Sequence, residues 1–270
     1  MVKLNNFVID NKMPFTAILG PCQIESNQHA EECNSAIKEI CTELDINYIF
    51  KSSFDKANRS SLSGKRGIGI NEGLQILSDI KDTGTPTLTD VHEVYQVKDV
   101  AEAVDVLQIP AFLCRQTDLI VAAANTGKII TVKKGQFLSY TDTNNICRKV
   151  SETGNSQSVI IERGTSFGYG NLIVDMRGFE HHKRNDTPII FDATHSVQHP
   201  GGQGQSSGGD RTMVEPLCMS AVAQSIAGVF LEVHDDPNNA PSDGPNALHL
   251  GDFEDLVKKL YDLDQFVKSD

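Results

Sequence analysis

Short apolar runs alternate along this chain with longer segments of helical periodicity. Eight of the runs are interpreted as strands, at residues 16–19, 48–50, 85–89, 104–109, 129–132, 159–161, 188–191 and 229–233. Seven amphipathic segments follow strands, at residues 29–44, 71–81, 94–103, 118–125, 144–153, 211–227 and 253–268. Continuous apolar runs are typical of strands buried on both faces of a parallel sheet. The alternation predicts an α/β fold, a (β/α)8 TIM barrel with a short N-terminal extension.

The alternative architecture is a doubly wound open sheet. Such a sheet normally has a Gly-rich phosphate turn after an early strand and an acidic residue about 20 positions later. The turn at residues 20–26 is not of that kind, and the Gly-dense segment 200–209 comes late in the chain. We interpret this late segment as a mobile lid. Without a long linker, we expect a single domain over residues 1–270, in which residues 1–14 form an N-terminal appendage.

Composition and charge limit the kinds of partner and the cellular location that we expect. The chain is 39% hydrophobic and 22% charged, as in soluble globular proteins. A net charge of -12 argues against a nucleic-acid partner, because binding to a phosphate backbone needs a basic face. No apolar run approaches the roughly 20 residues that cross a bilayer, and the N-terminus lacks the apolar core of a signal peptide. We therefore expect a cytoplasmic protein with no membrane partner and no disulfides.

A cation-rich stretch follows the second predicted strand. It runs from residue 51 to residue 66 and contains Lys51, Lys56, Arg59, Lys65 and Arg66 among hydroxyl and amide side chains. Arg offers a planar fork of donors that matches phosphate or carboxylate, and Lys offers a mobile point charge. The stretch therefore predicts anion binding, although a solvated basic loop has the same composition.

Polar side chains stand at the ends of nearly all the predicted strands. They are Cys22, Lys51, Ser53, Asp90, Gln108, Lys133, Lys134, Glu162, Arg163, Asp192, His195, Glu232 and His234. In a barrel of this kind the active site lies at the C-terminal ends of the strands. Burying so many charges together is costly unless a ligand or a metal balances them. The pattern therefore predicts a binding site on that rim.

These side chains divide into two chemical sets. The cationic set suits two anionic groups and comprises Lys51, Lys56, Arg59, Arg115, Lys133 and Arg163. The donor set comprises Cys22, His195, Glu232 and Asp243. Its mixed sulfur, nitrogen and oxygen atoms suit a borderline divalent ion such as Zn, Fe, Mn or Co. A purely structural role stays open for each member, because free Cys mostly packs and His mostly forms hydrogen bonds.

Other His and Cys residues receive no chemical role. Residues 181–184 (HHKR) precede the seventh predicted strand, and we interpret them as a solvated helix end. His29, Cys33 and Cys41 fall within the first predicted helix.

Five segments of the chain resemble one known family. They are residues 56–61 (KANRSS), 108–118 (QIPAFLCRQTD), 163–169 (RGTSFGY), 191–195 (FDATH) and 242–245 (SDGP). Together they resemble the 3-deoxy-D-manno-octulosonate 8-phosphate synthases over nearly the whole chain. The related heptulosonate phosphate synthases carry Lys-Pro-Arg-Thr where this chain has residues 56–59 (KANR). Ile68 and Gly135 are departures, since many family members have Pro at both positions.

The resemblance implies the condensation of phosphoenolpyruvate with arabinose 5-phosphate and water, a step towards lipopolysaccharide. The catalytic residues that it implies are Lys56, Lys133, His195 and Asp243. The implied substrate-binding residues are Lys51, Ser53, Lys56, Asn58, Arg59, Ser60, Gln108, Ala111, Arg115, Lys133, Gln136 and Arg163. Within that set, Asn58, Arg59 and Ser60 are expected at the sugar phosphate. The residues expected at phosphoenolpyruvate are Lys56, Lys133 and Arg163, with Ser53, Gln108 and the backbone of Ala111.

The resemblance also implies a cofactor and an assembly. Family members with Cys at the position of Cys22 use a metal, whereas members with Asn there do not. The implied ligands are Cys22, His195, Glu232 and Asp243, and the ion is one of Zn, Fe, Mn, Co or Cd. The implied assembly is a homotetramer. Two alternatives are a metal-assisted phosphosugar aldolase on the same barrel and a non-catalytic sugar-phosphate binder.

Overall fold

Eight parallel strands close into a barrel in this computed structural model, which describes residues 1–59, 62, 64–167, 170–199 and 208–269. The strands are β1 (Thr16–Gly20), β2 (Asn47–Lys51), β3 (Thr87–Asp90), β4 (Val106–Ile109), β5 (Ile129–Lys133), β6 (Ser158–Glu162), β7 (Ile189–Asp192) and β8 (Gly228–His234). Each strand pairs with the next, and β8 pairs with both β7 and β1. The predicted (β/α)8 barrel is confirmed.

Helices cover the outside of the barrel. They are α1 (Asn27–Glu43), α2 (Ile70–Asp82), α3 (Val97–Ala103), α4 (Thr117–Ala124), α5 (Thr143–Glu152), α6 (Arg177–Arg184), α7 (Val214–Val222) and α8 (Leu250–Lys268). The seven predicted amphipathic segments leave out α6, of which only the last four residues are interpreted as a helix end. Among its side chains only Phe179 and His182 are buried, so no apolar period results. The segment predicted at 211–227 begins as a 3-10 helix over Arg211–Met213, continues as α7 and ends at Val222. Within the described ranges, no helix has the length and apolar character needed to cross a membrane.

The register of the strands brings the polar strand ends to one rim. Gly20 on β1 lies opposite Glu232 on β8, and Asp90 on β3 lies opposite Gln108 on β4. Parallel strands place their C-terminal ends on the same edge, so the segments that follow β1 to β8 meet there.

An N-terminal hairpin closes the opposite end of the barrel. Its strands, Val2–Leu4 and Phe7–Ile9, pair antiparallel and pack against the apolar side chains of the barrel interior. Asn11 then fixes the hairpin to the start of β7, because its side chain donates to the carbonyl of Thr187 and accepts from the N–H of Ile189. Solvent therefore meets the barrel interior from the C-terminal rim.

The segment 181–184 is a helix end, but its second histidine is not solvated as predicted. His182 lies in the last turn of α6 and is 2% exposed. Its Nε2 atom lies 3.3 Å from the hydroxyl of Thr143. Burial, with smaller contributions from His181 and Lys134, lowers the pKa of His182 to about 4. The ring is therefore neutral at pH 7.

We predict that His182 makes the fold acid-sensitive between pH 6.5 and 4. The unfolded chain binds a proton at this residue below about pH 6.5, whereas the native chain binds it only below about pH 4. The native state thus has its full stability above pH 6.5 and loses up to about 3 kcal/mol as the pH falls through this window. Urea unfolding at several pH values should show a shallower decline for His182→Gln than for the wild type.

The matched control is His181→Gln, which changes the half-buried neighbour in the same helix. It should still lose stability more steeply than His182→Gln as the pH falls, because burial, the largest cause of the lowered pKa of His182, is unchanged. Parallel curves for the wild type and His182→Gln would contradict the prediction.

Candidate active site

The turns after β1 and β2 lie side by side because of one glycine. A Cβ atom on Gly20 would lie 2.2 Å from the carbonyl oxygen of Lys51, which no larger residue could accommodate. Pairing continues past the strands through a bridge between Gln23 and Ser53. Lys51 Nζ donates to the carbonyl of Cys22 at 3.2 Å. The donor set and the cationic set are therefore in contact from the first two strands onward.

Asp90 orients two of the predicted substrate-binding residues. Ser53 Oγ and Gln108 Nε2 both donate to its carboxylate, and all three side chains are buried. Lys56 Nζ in turn donates to Ser53 Oγ at 3.0 Å. Burial alone would raise the pKa of Asp90, but Lys51 and Lys56 hold it well below its usual range. The carboxylate therefore stays ionised and fixes both partners as donors.

Asp192 is the corresponding centre on the other side of the rim. Its carboxylate pairs with Lys133 Nζ, lies 2.8 Å from His195 Nδ1 and accepts from the backbone N–H of His195 at 3.0 Å. Burial would raise the pKa of Asp192, but His195 and Lys133 lower it well below its usual range. Lys133 Nζ also lies 3.4 Å from the ring centroid of Phe230, within cation–π distance. Both Lys133 and the imidazole are thereby held in one orientation.

The predicted donor set comes together in this structure. Ligand atoms of Cys22, Glu232 and Asp243 lie within 4.8 Å of one another, and Cys22 Sγ donates to Asp243 at 3.0 Å. His195 adjoins this group through Glu232, because its Nε2 atom lies 3.4 Å from Glu232 Oε1 while its Nδ1 atom is held by Asp192. A carboxylate on the far nitrogen is the usual arrangement for a metal-ligating histidine.

The donor set also fits a divalent cation electrostatically. Both carboxylate oxygens of Glu232 are buried and have no hydrogen-bond partner among the described residues, and its ion pair with Lys51 is long at 3.8 Å. Burial, together with Glu232, raises the pKa of the Cys22 thiol well above its ordinary value. Buried charges of this kind are stable when they are paired or bind a metal. The residues present therefore fit a bound ion with mixed donors.

A glutamine that sequence reasoning missed joins the two chemical sets. Gln198 donates through Nε2 to Asp243 Oδ1 at 2.6 Å and accepts through Oε1 from Arg163 Nη2 at 2.6 Å. Arg163 also donates to the carbonyl of His195 at 3.2 Å. The only sequence signal for Gln198 is its place in the segment that follows β7. One amide therefore positions both an anion-binding and a cation-binding side chain.

Arg59 connects the segment after β2 to the segment after β8. Its guanidinium donates to the side chains of Ser242 at 2.8 Å and Gln23 at 2.7 Å, and to the carbonyls of Lys65 at 2.7 Å and Pro241 at 3.3 Å. These bonds use most of its N–H groups. A substrate phosphate at this position would therefore meet an already oriented guanidinium.

Several polar atoms on the rim are buried without a hydrogen-bond partner among the described residues. They are Gln108 Oε1, Gln136 Oε1 and Arg163 Nη1. Leaving a buried polar group unpaired costs about 1–3 kcal/mol. Their concentration at the strand ends supports the binding of a polar ligand there.

The remaining predicted residues lie farther out. Asn58 is exposed, and Ala111 begins a short 3-10 turn directly after β4. Arg115 is also exposed, and its side chain contacts none of the other predicted site residues in the part of the chain that the structure describes. Ser60 and residues 200–207 of the predicted lid lie outside the described residues.

Comparison with known proteins decides the family. A model of the DAHP synthetase I family matches residues 2–269. The chain belongs to this family. It is 53% identical over 269 residues to a 2-dehydro-3-deoxyphosphooctonate aldolase of Bartonella henselae, covering 99% of this chain and 96% of the relative. Proteins of the same name from Chelativorans sp. and Rhodopseudomonas palustris are 52% and 53% identical, covering 99% of this chain and 98% and 94% of theirs.

We predict that Asp192→Asn costs about 3–5 kcal/mol of unfolding free energy, because it leaves the buried Lys133 without its counter-charge. Urea unfolding at pH 7 measures the loss. The matched control is Asp175→Asn, which removes an ion pair with the exposed Arg177 and should cost at most about 1 kcal/mol. Equal losses in the two variants would count against the role given to Asp192.

Proposed function

We propose that this protein is a 3-deoxy-D-manno-octulosonate 8-phosphate synthase, which condenses phosphoenolpyruvate with arabinose 5-phosphate and water. The name of its relatives, 2-dehydro-3-deoxyphosphooctonate aldolase, refers to the same eight-carbon phosphorylated keto acid. The proposal rests mainly on one observation at the C-terminal rim of the barrel. The buried cations Lys51, Lys133 and Arg163 lie there next to the donor set. Such a rim suits the binding of a multiply anionic substrate and the stabilisation of charge that develops during its reaction.

Phosphoenolpyruvate carries a carboxylate and a phosphate, and the deep cations suit both. Arg163 has a buried Nη1 group free of protein partners within the described chain, so its planar fork can bind an anionic group. Lys51 and Lys133 add point charges beside it, and Ser53 and Gln108 are oriented by Asp90. These residues lie at the ends of β2, β4, β5 and β6, so together they would surround a small ligand on several sides.

The phosphate of the sugar is assigned to the outer end of the site. Arg59 is half-buried and Asn58 is exposed, so they lie nearer the mouth than the deep cations. The aldehyde end of an extended five-carbon sugar would then point inward, towards phosphoenolpyruvate. We include Ser60 in this group by the resemblance of its motif.

The reaction joins carbon 3 of phosphoenolpyruvate to the aldehyde carbon, and the aldehyde oxygen takes up a proton. Positive charge develops at carbon 2, where water adds through its oxygen and loses a proton. The bond between carbon 2 and the bridging oxygen then breaks, and phosphate leaves with the electron pair and takes up a proton. The new hydroxyl at carbon 2 loses its own proton and becomes the keto group. Holding both substrates in line is worth about 7–11 kcal/mol in well-aligned systems.

The charged side chains differ in what they can do with protons. Burial would lower the pKa of Lys56, but Cys22, Glu232 and other acids raise it, so Lys56 stays a cation that neutralises negative charge. Burial lowers the pKa of Lys133, which favours proton donation to the departing phosphate. His195 and Lys56 hold the pKa of Asp243 low against the effect of burial. Asp243 is therefore a weak base, better suited to binding a cation.

We assign a divalent metal to Cys22, His195, Glu232 and Asp243. When bound, such an ion supplies charge that polarises the aldehyde or lowers the pKa of a water molecule. The protein's own contribution is the fixed orientation of the ligands, through Asp192 at His195 and through Gln198 at Asp243. The family resemblance and the buried Glu232 oxygens support this assignment.

Two further expectations follow from the sequence. The family resemblance favours a homotetramer, and the acidic composition favours a cytoplasmic location. Both stay predictions.

The proposed reaction is tested by the loss of phosphoenolpyruvate absorbance. We expect consumption with arabinose 5-phosphate, release of one inorganic phosphate per product, and much slower consumption with erythrose 4-phosphate, because residues 56–59 (KANR) differ from the heptulosonate synthase motif. Preference for the four-carbon sugar, or consumption without any sugar, would refute the proposal.

We predict that Cys22→Ala lowers the bound metal and reduces turnover by more than about 100-fold, because it removes one of four ligands. Metal content by mass spectrometry and turnover with Zn, Mn, Co, Fe or Cd would be measured together. Cys41→Ala, a buried cysteine of α1 far from the donor set, is the control and should behave as wild type. Full turnover in metal-free wild type would keep the synthase but discard the metal.

A further inference from the structure

A second group of metal-ligating side chains lies outside the active site. It comprises Glu25, His29 and Cys33 at the start of the first helix, with His234 and Asp235 at the end of β8. His29 Nε2 lies 3.0 Å from Asp235 Oδ1 and 3.4 Å from Cys33 Sγ. None of these residues takes part in the proposed reaction.

Regular secondary structure holds the two ligands on α1 in register. His29 and Cys33 are four residues apart on α1, so their side chains lie on the same face one turn apart. Ser26 caps this helix by accepting from the N–H of His29 at 3.1 Å, which fixes where the helix begins. Asp235 directly follows the last residue of β8. The three groups therefore meet without depending on a long loop.

The three candidate ligand atoms lie within 4.8 Å of one another, close to the spacing of ligands around a tetrahedral ion. Zinc lies about 2.0–2.2 Å from nitrogen or oxygen and about 2.3 Å from sulfur, so its ligands are about 3.3–3.6 Å apart. The two distances measured from His29 Nε2 are 3.0 Å and 3.4 Å. These two distances are within a few tenths of an ångström of the tetrahedral spacing.

The charge around the group favours a cation. In the described ranges, the ion pairs of Glu25 and Asp235 are with histidines alone: His234 Nε2 lies 2.7 Å from Glu25, and both His29 and His234 lie 3.0 Å from Asp235. His234 Nδ1 also accepts from the N–H of Asp236 at 2.9 Å. The two carboxylates have no Lys or Arg partner among the described residues, so a nearby dication would be attracted to both.

We propose that His29, Cys33 and Asp235 form a second divalent-metal site, suited to Zn²⁺ or Co²⁺, on the outer side of the catalytic rim. His29 Nε2, Cys33 Sγ and Asp235 Oδ1 are the ligands, and water takes the fourth position. Cys33 is buried whereas Asp235 is 58% exposed, so the site opens to solvent on the carboxylate side. Sulfur binds as the thiolate, so binding releases the thiol proton and tightens as pH rises.

The site lies where it can steady the segment that carries Asp243. Asp235 begins the connection from β8 to the Ser242–Asp243 pair, and His29 belongs to the helix that follows the turn of Cys22. An ion between them would join the segments that supply two ligands of the proposed catalytic metal. Since it binds only the folded chain, it raises the thermal midpoint with metal concentration.

Cobalt absorption in a Cys22→Ala background tests the site. Co²⁺ bound by thiolate gives a near-ultraviolet charge-transfer band, and the Cys22 sulfur is removed in this variant. We expect the band to persist in Cys22→Ala, to persist in Cys22→Ala with Cys41→Ala, and to vanish in Cys22→Ala with Cys33→Ala. Cys41 is the matched control because it is a buried cysteine two turns further along the same helix.

A second variant keeps the test decisive if Cys33→Ala does not fold. Asp235→Asn changes an exposed side chain and, in the Cys22→Ala background, should weaken Co²⁺ binding by about 10- to 100-fold while the band remains. Absence of the band in Cys22→Ala, or a band and affinity unchanged by the Cys33 and Asp235 substitutions, would overturn the proposal. The synthase reaction of the wild type is measured separately, so its failure would leave this result intact.

Discussion

Charge pairing around the buried carboxylate of Asp192 determines the arrangement of the rim. Asp192 is fully buried and contacts Lys133 from β5 and His195 from the turn after β7. Neither the cation nor the imidazole can leave without stranding an uncompensated charge. Asp90 repeats this arrangement across the barrel, where it orients Ser53 and Gln108. The site is therefore oriented before any substrate arrives, which is the condition for electrostatic catalysis.

The barrel was predictable because its strands are buried on both faces. Continuous apolar runs mark such strands, and all eight predicted runs are strands of the barrel. The missed helix, α6, shows where this signal ends. Its sequence is almost entirely polar, and it is held by the burial of Phe179 and His182 rather than by an apolar stripe. Such a helix has no apolar stripe with a period of 3.6 residues by which its sequence could be recognised.

Much of the site was predictable for a related reason, because the strand ends of a parallel barrel must meet. That rule identified Cys22, His195 and Glu232 without any distance, and the structure brings them together. The rule does not identify residues that act by holding other site residues in place. Gln198 matters because it lies between Arg163 and Asp243, and no local pattern distinguishes it from other glutamines. No chemical role is predicted for His29 and Cys33 from the sequence either, since only tertiary contacts join α1 to the end of β8.

The bonds of Arg59 have a consequence for engineering substrate choice. The segment 56–59 is the obvious piece to exchange between synthases of different sugar preference. In this chain the guanidinium of Arg59 already donates to Gln23, in the segment after β1, and to Ser242, in the segment after β8. A transplanted segment without a matching donor would leave Gln23 and Ser242 without these hydrogen bonds. The segments after β1 and β8 would then no longer be tied to the segment after β2. Arg59 thus joins three segments, after β1, β2 and β8, so an exchange that keeps these bonds has to include all three.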